Sequence, residues 1–182
     1  TLLLLPMLRA LTQEVTLPAR GSDSVWCPQV KSLRLENEGS APIITLNSQF
    51  SILNLEFDLL GEEPADLRYR IVHCDRHWQP DLPDTYDYIQ GFEEENLTRY
   101  ESSFTTLQPY FHYFQRLPAQ GTRFLASGNY LLLVYLQEQP DSLLFTRRFW
   151  VVEPLVEVDA TIGKPMEGNI MQDQEVYVAL TV

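Results

Sequence analysis

Apolar and β-branched residues alternate with polar ones along this chain in short windows closed by Gly, Pro, Asn or Asp, and no window of about twelve residues holds a helical stripe. The windows fall at residues 30–35, 43–46, 51–58, 67–73, 110–117, 129–137 and 143–152. Residues 83–91 have room for a single helical turn. Strand runs joined by short polar turns predict an all-β chain, an antiparallel immunoglobulin-like β-sandwich over residues 26–153. After Glu153-Pro154 a second alternating series runs from Val156 to Ile162, and another from Glu175 to Val182. Two strands do not make a stable domain. Residues 154–182 are therefore expected to begin a second β-domain or to extend the first.

The rhythm fails between residues 78 and 108. That segment carries Asp81, Asp84, Asp87, Glu93, Glu94, Glu95 and Glu101 against one base, Arg99, together with Trp78, Tyr86, Tyr88, Phe92, Tyr100 and Phe104. Linkers are poor in aromatics, so an insertion this rich in rings is expected to fold onto the sandwich as an ordered flap. Its rings exceed what one side of a small sandwich can bury. Trp78, Tyr86, Tyr88, Phe92, Tyr110 and Tyr113 are therefore candidates for contact with a protein partner, with the carboxylates setting encounter and orientation. The competing reading buries every ring and leaves the carboxylates as a solvated face.

Charge narrows the function. The chain has 25 acidic and 13 basic residues, a formal net of −12, the opposite of what displaces counterions from nucleic acid phosphates. No Lys/Arg-rich run exists to hold it on an anionic lipid surface. The apolar run Leu2–Leu5, Pro6, Met7 and Leu8 is too short to span a bilayer. It resembles the back half of a secretory signal peptide, so residues 1–20 are read as an export remnant and the mature protein is placed outside the cytoplasm. A buried N-terminal helix or strand is the alternative. The two cysteines, Cys27 and Cys74, permit one disulfide and require none.

No catalytic constellation stands out. His73, Asp75 and His77 would share a face if their strand continued, which suits a metal, but no HExxH or CxxC accompanies them. The blander reading buries Cys74 and lets the His and Asp cap a turn. A Cys74 nucleophile would need His112 as its base, because neighbours on a strand point to opposite faces. Ser127-Gly128-Asn129 reads as a turn, Asn96-Leu97-Thr98 as a chance sequon in a turn, and the glycines form no phosphate loop. The rings could alternatively make a sugar-stacking platform, the mark of a carbohydrate-binding or accessory module of a secreted protein. Arg147 and Arg148 should point to opposite faces, one meeting a carboxylate of the insertion and the other solvated.

Several strings taken together go further. Tyr69-Arg70-Ile71-Val72-His73-Cys74-Asp75 with Trp78, then Gly91-Phe92, Ser103-Phe104-Thr105-Thr106, His112-Tyr113, Ser127-Gly128-Asn129-Tyr130 and Thr146-Arg147-Arg148-Phe149 resemble, in order and spacing over residues 28–182, the N-terminal domain of the type IX secretion system plug protein family of Bacteroidota. The chain departs from that pattern at Thr105, where an asparagine is expected, and at Pro80-Asp81, where a serine is common. The resemblance implies a periplasmic, non-enzymatic protein without cofactors or metal. Its partner would be a large outer-membrane translocon barrel, whose periplasmic mouth it blocks when idle, without itself inserting into the membrane.

Overall fold

The computed structural model describes residues 21–181 apart from 49, 83 and 170. The expected export remnant, residues 1–20, lies outside the described residues. Among the described residues fourteen strands follow in order: β1 (Ser24–Val25), β2 (Val30–Glu36), β3 (Ile43–Thr45), β4 (Leu53–Leu60), β5 (Leu67–Cys74), β6 (Ile89–Gln90), β7 (Glu94–Leu97), β8 (Tyr100–Ser102), β9 (Tyr110–Leu117), β10 (Arg123–Phe124), β11 (Gly128–Leu136), β12 (Gln139–Val152), β13 (Glu157–Gly163) and β14 (Glu175–Thr181). One 3-10 turn, Thr85–Asp87, is capped by the Asp84 side chain, which accepts from the Tyr86 amide. The all-β reading holds, and the single helical turn falls where it was expected.

The chain divides after Val152 into two units. In the first, a large sheet in the order β1-β12-β11-β5-β7, with β3 also pairing β12, faces a four-stranded sheet in the order β2-β4-β9-β8. Every pairing is antiparallel except β3 with β12. β4 shows why the sequence folds this way: Leu53, Leu55, Phe57 and Leu59 are buried and the residues between them are half-exposed. Those four meet Tyr69 and Ile71 of β5, Tyr130 and Leu132 of β11, Phe145 and Phe149 of β12, and Tyr113 of β9 in one apolar cluster. Full burial of each such side chain stabilises by about 1.5–3 kcal/mol.

β11 breaks alternation for a physical reason. Tyr130 through Tyr135 are all buried, because Tyr130, Leu132 and Val134 face the sandwich core while Leu131, Leu133 and Tyr135 join Val72, Cys74 and Trp78 in a second cluster on the outer side of the sheet. A strand buried on both faces reads as a continuous apolar run. The far edge of β12 is shared by two short strands, β1 opposite Phe145 and Thr146 and β3 opposite Trp150 to Val152. Between them the Arg148 amide donates to the Asp23 carboxylate at 2.7 Å.

The insertion is less irregular than its sequence. It contributes β7 to the edge of the large sheet beside β5, then crosses at Thr98 and Arg99 to contribute β8 to the edge of the smaller sheet beside β9. The expectation that strand structure lapses from residue 78 to 108 is thus corrected. These are short edge strands that lack an alternating stripe: β7 joins β5 through its ladder, the Arg68–Glu94 ion pair and the single buried apolar residue Leu97.

The second unit, Glu153–Val182, is a two-stranded antiparallel hairpin of β13 and β14. Val158, Ala160 and Ile162 stand directly across from Leu180, Val178 and Val176, so one face is apolar, and all six side chains are exposed.

Candidate functional site

Most of the motif residues gather at one end of the sandwich, around His73. Its Nδ1 lies 2.6 Å from the Asp81 carboxylate and its Nε2 3.3 Å from the Ser127 carbonyl. The ring meets Tyr130 edge-on with centroids 4.9 Å apart, and Tyr88 lies 5.8 Å away. Tyr130 in turn stacks on Phe149 at 5.3 Å and donates its hydroxyl to the Ala126 carbonyl at 2.8 Å. Burial raises the Tyr130 and Tyr88 phenols above their usual range. Gly128 is required here: its φ is +148°, and a Cβ on it would lie 2.5 Å from His73 Nε2. Gly91, at φ +112°, makes a similar close approach, where a Cβ would meet the Gly121 carbonyl and Thr122 Oγ1 at 2.8 Å.

The turn after β5 is held by Asp75. Its carboxylate accepts from the Gln79 and His77 amides at 2.9 and 2.7 Å, bonds that hold its acid strength above the ordinary carboxylate value. Asn129 Nδ2 donates to the Asp75 carbonyl at 2.9 Å. Trp78 adopts φ +63° in this turn and meets Trp150 edge-on at 5.7 Å, while the Arg148 guanidinium lies 4.2 Å over its ring. The Arg148 side chain also donates to the Gly21 carbonyl.

This arrangement fastens the insertion to the sandwich and offers little chemistry. Both His73 nitrogens are engaged, and Cys74 points to the opposite face, where burial first, then the Asp81 and Asp75 charges, push its thiol up to about 12. β5 ends at Cys74, so the alternation that would align His73, Asp75 and His77 does not continue, and His77 instead accepts from Arg76 Nε at 2.9 Å. Among the described residues no three His, Cys, Asp or Glu side chains are placed to hold a metal. Cys27 and Cys74 are free thiols, Cys27 donating to Gln29 at 3.1 Å.

The remaining motif residues lie apart from His73. His112 Nδ1 sits 2.7 Å from Asp58 across β9 and β4. Tyr113 is fully buried, and its hydroxyl accepts from the Ala65 amide at 2.8 Å and donates to the Ala65 carbonyl at 2.9 Å. Two expectations need correction. Tyr88 and Tyr113 are core residues with no ring surface to offer a partner. Trp78 and Tyr110 are half-buried, and of the six candidate rings only Tyr86, at 80%, and Phe92, at 69%, stand well exposed. Secondly, the insertion's carboxylates are met by Arg68 and Arg70 rather than by Arg147 or Arg148: Arg68 Nη1 reaches Glu94 at 2.6 Å and Arg70 Nη2 reaches Glu93 at 3.2 Å. Arg147 donates to the Thr146 carbonyl at 3.1 Å. Arg68 and Arg70 share a strand face, but Glu93 and Glu94 are consecutive, Glu93 standing just before β7, and nothing in the sequence says which segment adjoins β5.

The opposite end of the sandwich went unnoticed in the sequence. There the segments 26–29, 59–65 and 136–144 line a cleft of about 760 Å³, and the loop 103–109 lies beside them, its Pro109 carbonyl accepting from the Gly61 amide at 3.1 Å. Phe104, 87% exposed, and Leu107 stand out from the same end. The signal is scattered over three segments distant in sequence, so no local run reveals it.

Residues 29–153 match the family model for the type 9 secretion system plug protein first domain. Among solved structures, the chain is similar to a hypothetical protein from Parabacteroides merdae ATCC 43184, known from a 2.30 Å crystal structure, with a TM-score of 0.78 and 29% identity. The similarity covers 90% of this chain and 42% of that one, so this chain spans less than half of the protein it matches. No curated protein matches at a significant level. The motifs around His73, the paired sheets and this match converge on one assignment: the chain belongs to the type 9 secretion system plug protein family, with residues 29–153 as its first domain.

Proposed function

We propose that the protein is a periplasmic plug component of the type IX secretion system, seated against the periplasmic mouth of a large outer-membrane translocon barrel that it seals when no cargo passes. The match of residues 29–153 to the plug first domain carries this reading. The family is one of secretion-system plugs and not of enzymes. The physical demands of a plug are a stiff body and a surface fitted to a rim. The insertion meets the first demand by joining the edges of both sheets. A sugar platform is less well supported, because Trp78 and Trp150 stand at 80° to each other and Arg148 covers Trp78. The test is isolation of the full-length protein from native membranes under mild detergent. Stoichiometric recovery of one large outer-membrane barrel supports the plug role, and recovery of the protein alone from membranes that still contain their barrels overturns it.

A further inference from the structure

The end of the first unit remote from His73 gathers four connecting segments, 26–29, 60–66, 103–109 and 137–143. Its four connecting segments are laced by main-chain hydrogen bonds: the Leu60 amide to the Gln29 carbonyl at 3.1 Å, Gly61 to Pro109 at 3.1 Å, Gln137 to Asp66 at 2.9 Å, and Trp26 to Leu144 at 2.9 Å. Loops tied to one another in this way are preorganised, so a ligand would not bear the entropy of ordering them. The cleft among three of them is lined by Trp26, Leu136, Leu143 and Leu144, and by the carboxylate residues Glu63 and Asp141, with the loop 103–109 to one side. Its volume falls in the range of sites that hold small apolar groups.

Charge states what kind of partner fits. Two of the segments, 60–66 and 137–143, carry Glu62, Glu63, Asp66, Glu138 and Asp141, all exposed, and none of the four contains Lys, Arg or His. The end around His73 is mixed by comparison, with Arg76, His77 and Arg123 beside its acids. Exposed aromatic and aliphatic side chains flanked by charges of one sign are the composition of a protein interface, where the apolar anchors supply affinity and the charge selects the partner.

We propose that this end docks a polypeptide segment that seats an apolar side chain in the cleft and sets Lys or Arg side chains against the surrounding carboxylates. The inference rests on the plug reading only for the source of that segment, a rim or loop of the secretion machinery. Its recognition chemistry stands on the loops themselves.

The probes are two pentapeptides with a central phenylalanine between leucines, one ending in arginine on both sides and one in glutamate. They are titrated into the isotopically labelled chain and followed by amide shifts and fluorescence anisotropy. The basic peptide should bind saturably, about tenfold or more tighter than the acidic one, with shifts confined to the four segments. Trp26→Ala and Glu63→Lys should each weaken it about tenfold at unchanged melting temperature, since both side chains are exposed and carry no core packing. Equal affinity for the two peptides, shifts centred elsewhere, or indifference to both variants overturns the proposal. Membrane isolation of the same variants separates it from the plug reading. A barrel retained equally by wild type and both variants defeats the docking end and leaves the plug role standing. Selective peptide binding by a protein that retains no barrel does the reverse.

Discussion

The insertion, residues 78–108, and the C-terminal hairpin, residues 157–181, invert each other. The insertion has no strand rhythm, yet it supplies edge strands to both sheets and brings Tyr88 into the core. The hairpin alternates regularly, yet its apolar face, Val158 through Ile162 opposite Val176 through Leu180, lies exposed. Alternation reports which side chains share a face and hence which strands can pair. Whether that face is covered depends on partners distant in sequence, and alternation is silent about them. An edge strand, conversely, can be fixed by cross-strand charge pairs and a few buried rings without any stripe.

The sharpest break in that comparison would come at Gly128. Gly128→Ala places a Cβ against the His73 ring, which Asp81, Tyr88 and Tyr130 hold in position, at a φ that L residues rarely adopt. We expect a loss of about 3 kcal/mol or more of stability by denaturant unfolding. A loss below about 1 kcal/mol would mean that the insertion is not locked through His73. Tyr113→Phe keeps the core volume and strands the Ala65 amide and carbonyl. About 1–3 kcal/mol should be lost in the same measurement.

Arg70→Ala tests whether charge fixes β7. The pair with Glu93 is partly exposed, so about 1 kcal/mol or less is expected, accompanied by faster amide exchange at residues 94–97. Arg147→Ala, which leaves the Glu93 and Glu94 pairs intact, should not change that exchange. The smallest effect belongs to the hairpin. Val178→Thr, on an exposed face, should leave the unfolding free energy of the first unit unchanged within about 0.5 kcal/mol.

The sequence disclosed the interior strands well because each buried one face, as in β4, or both, as in β11. It missed β1, β6 and β10, which span two residues each and carry no period. It also misassigned the carboxylate partners, since Arg147 and Arg148 sit in a recognisable string while Arg68 and Arg70 meet Glu94 and Glu93 only once β7 is seen beside β5. The motif residues proved to be mainly a fastening around His73. The cleft at the other end assembles from residues as distant as Trp26 and Asp141, a convergence no local pattern contains.

The shared edge of β12 has a bearing on solubility. A long bare strand edge is a template on which any extended chain can add itself. Here β1 and β3 occupy that edge from opposite directions, and the Asp23 carboxylate takes the Arg148 amide between them. The remaining borders of the first unit are broken as well: β7 has four residues beginning with two glutamates, β8 has three, and β2 loses register between Lys31 and Arg34. An extended chain that meets these borders finds only short or broken stretches to pair with. Among the described residues the first unit has no uninterrupted border to lend, which guards it against being recruited into a growing sheet.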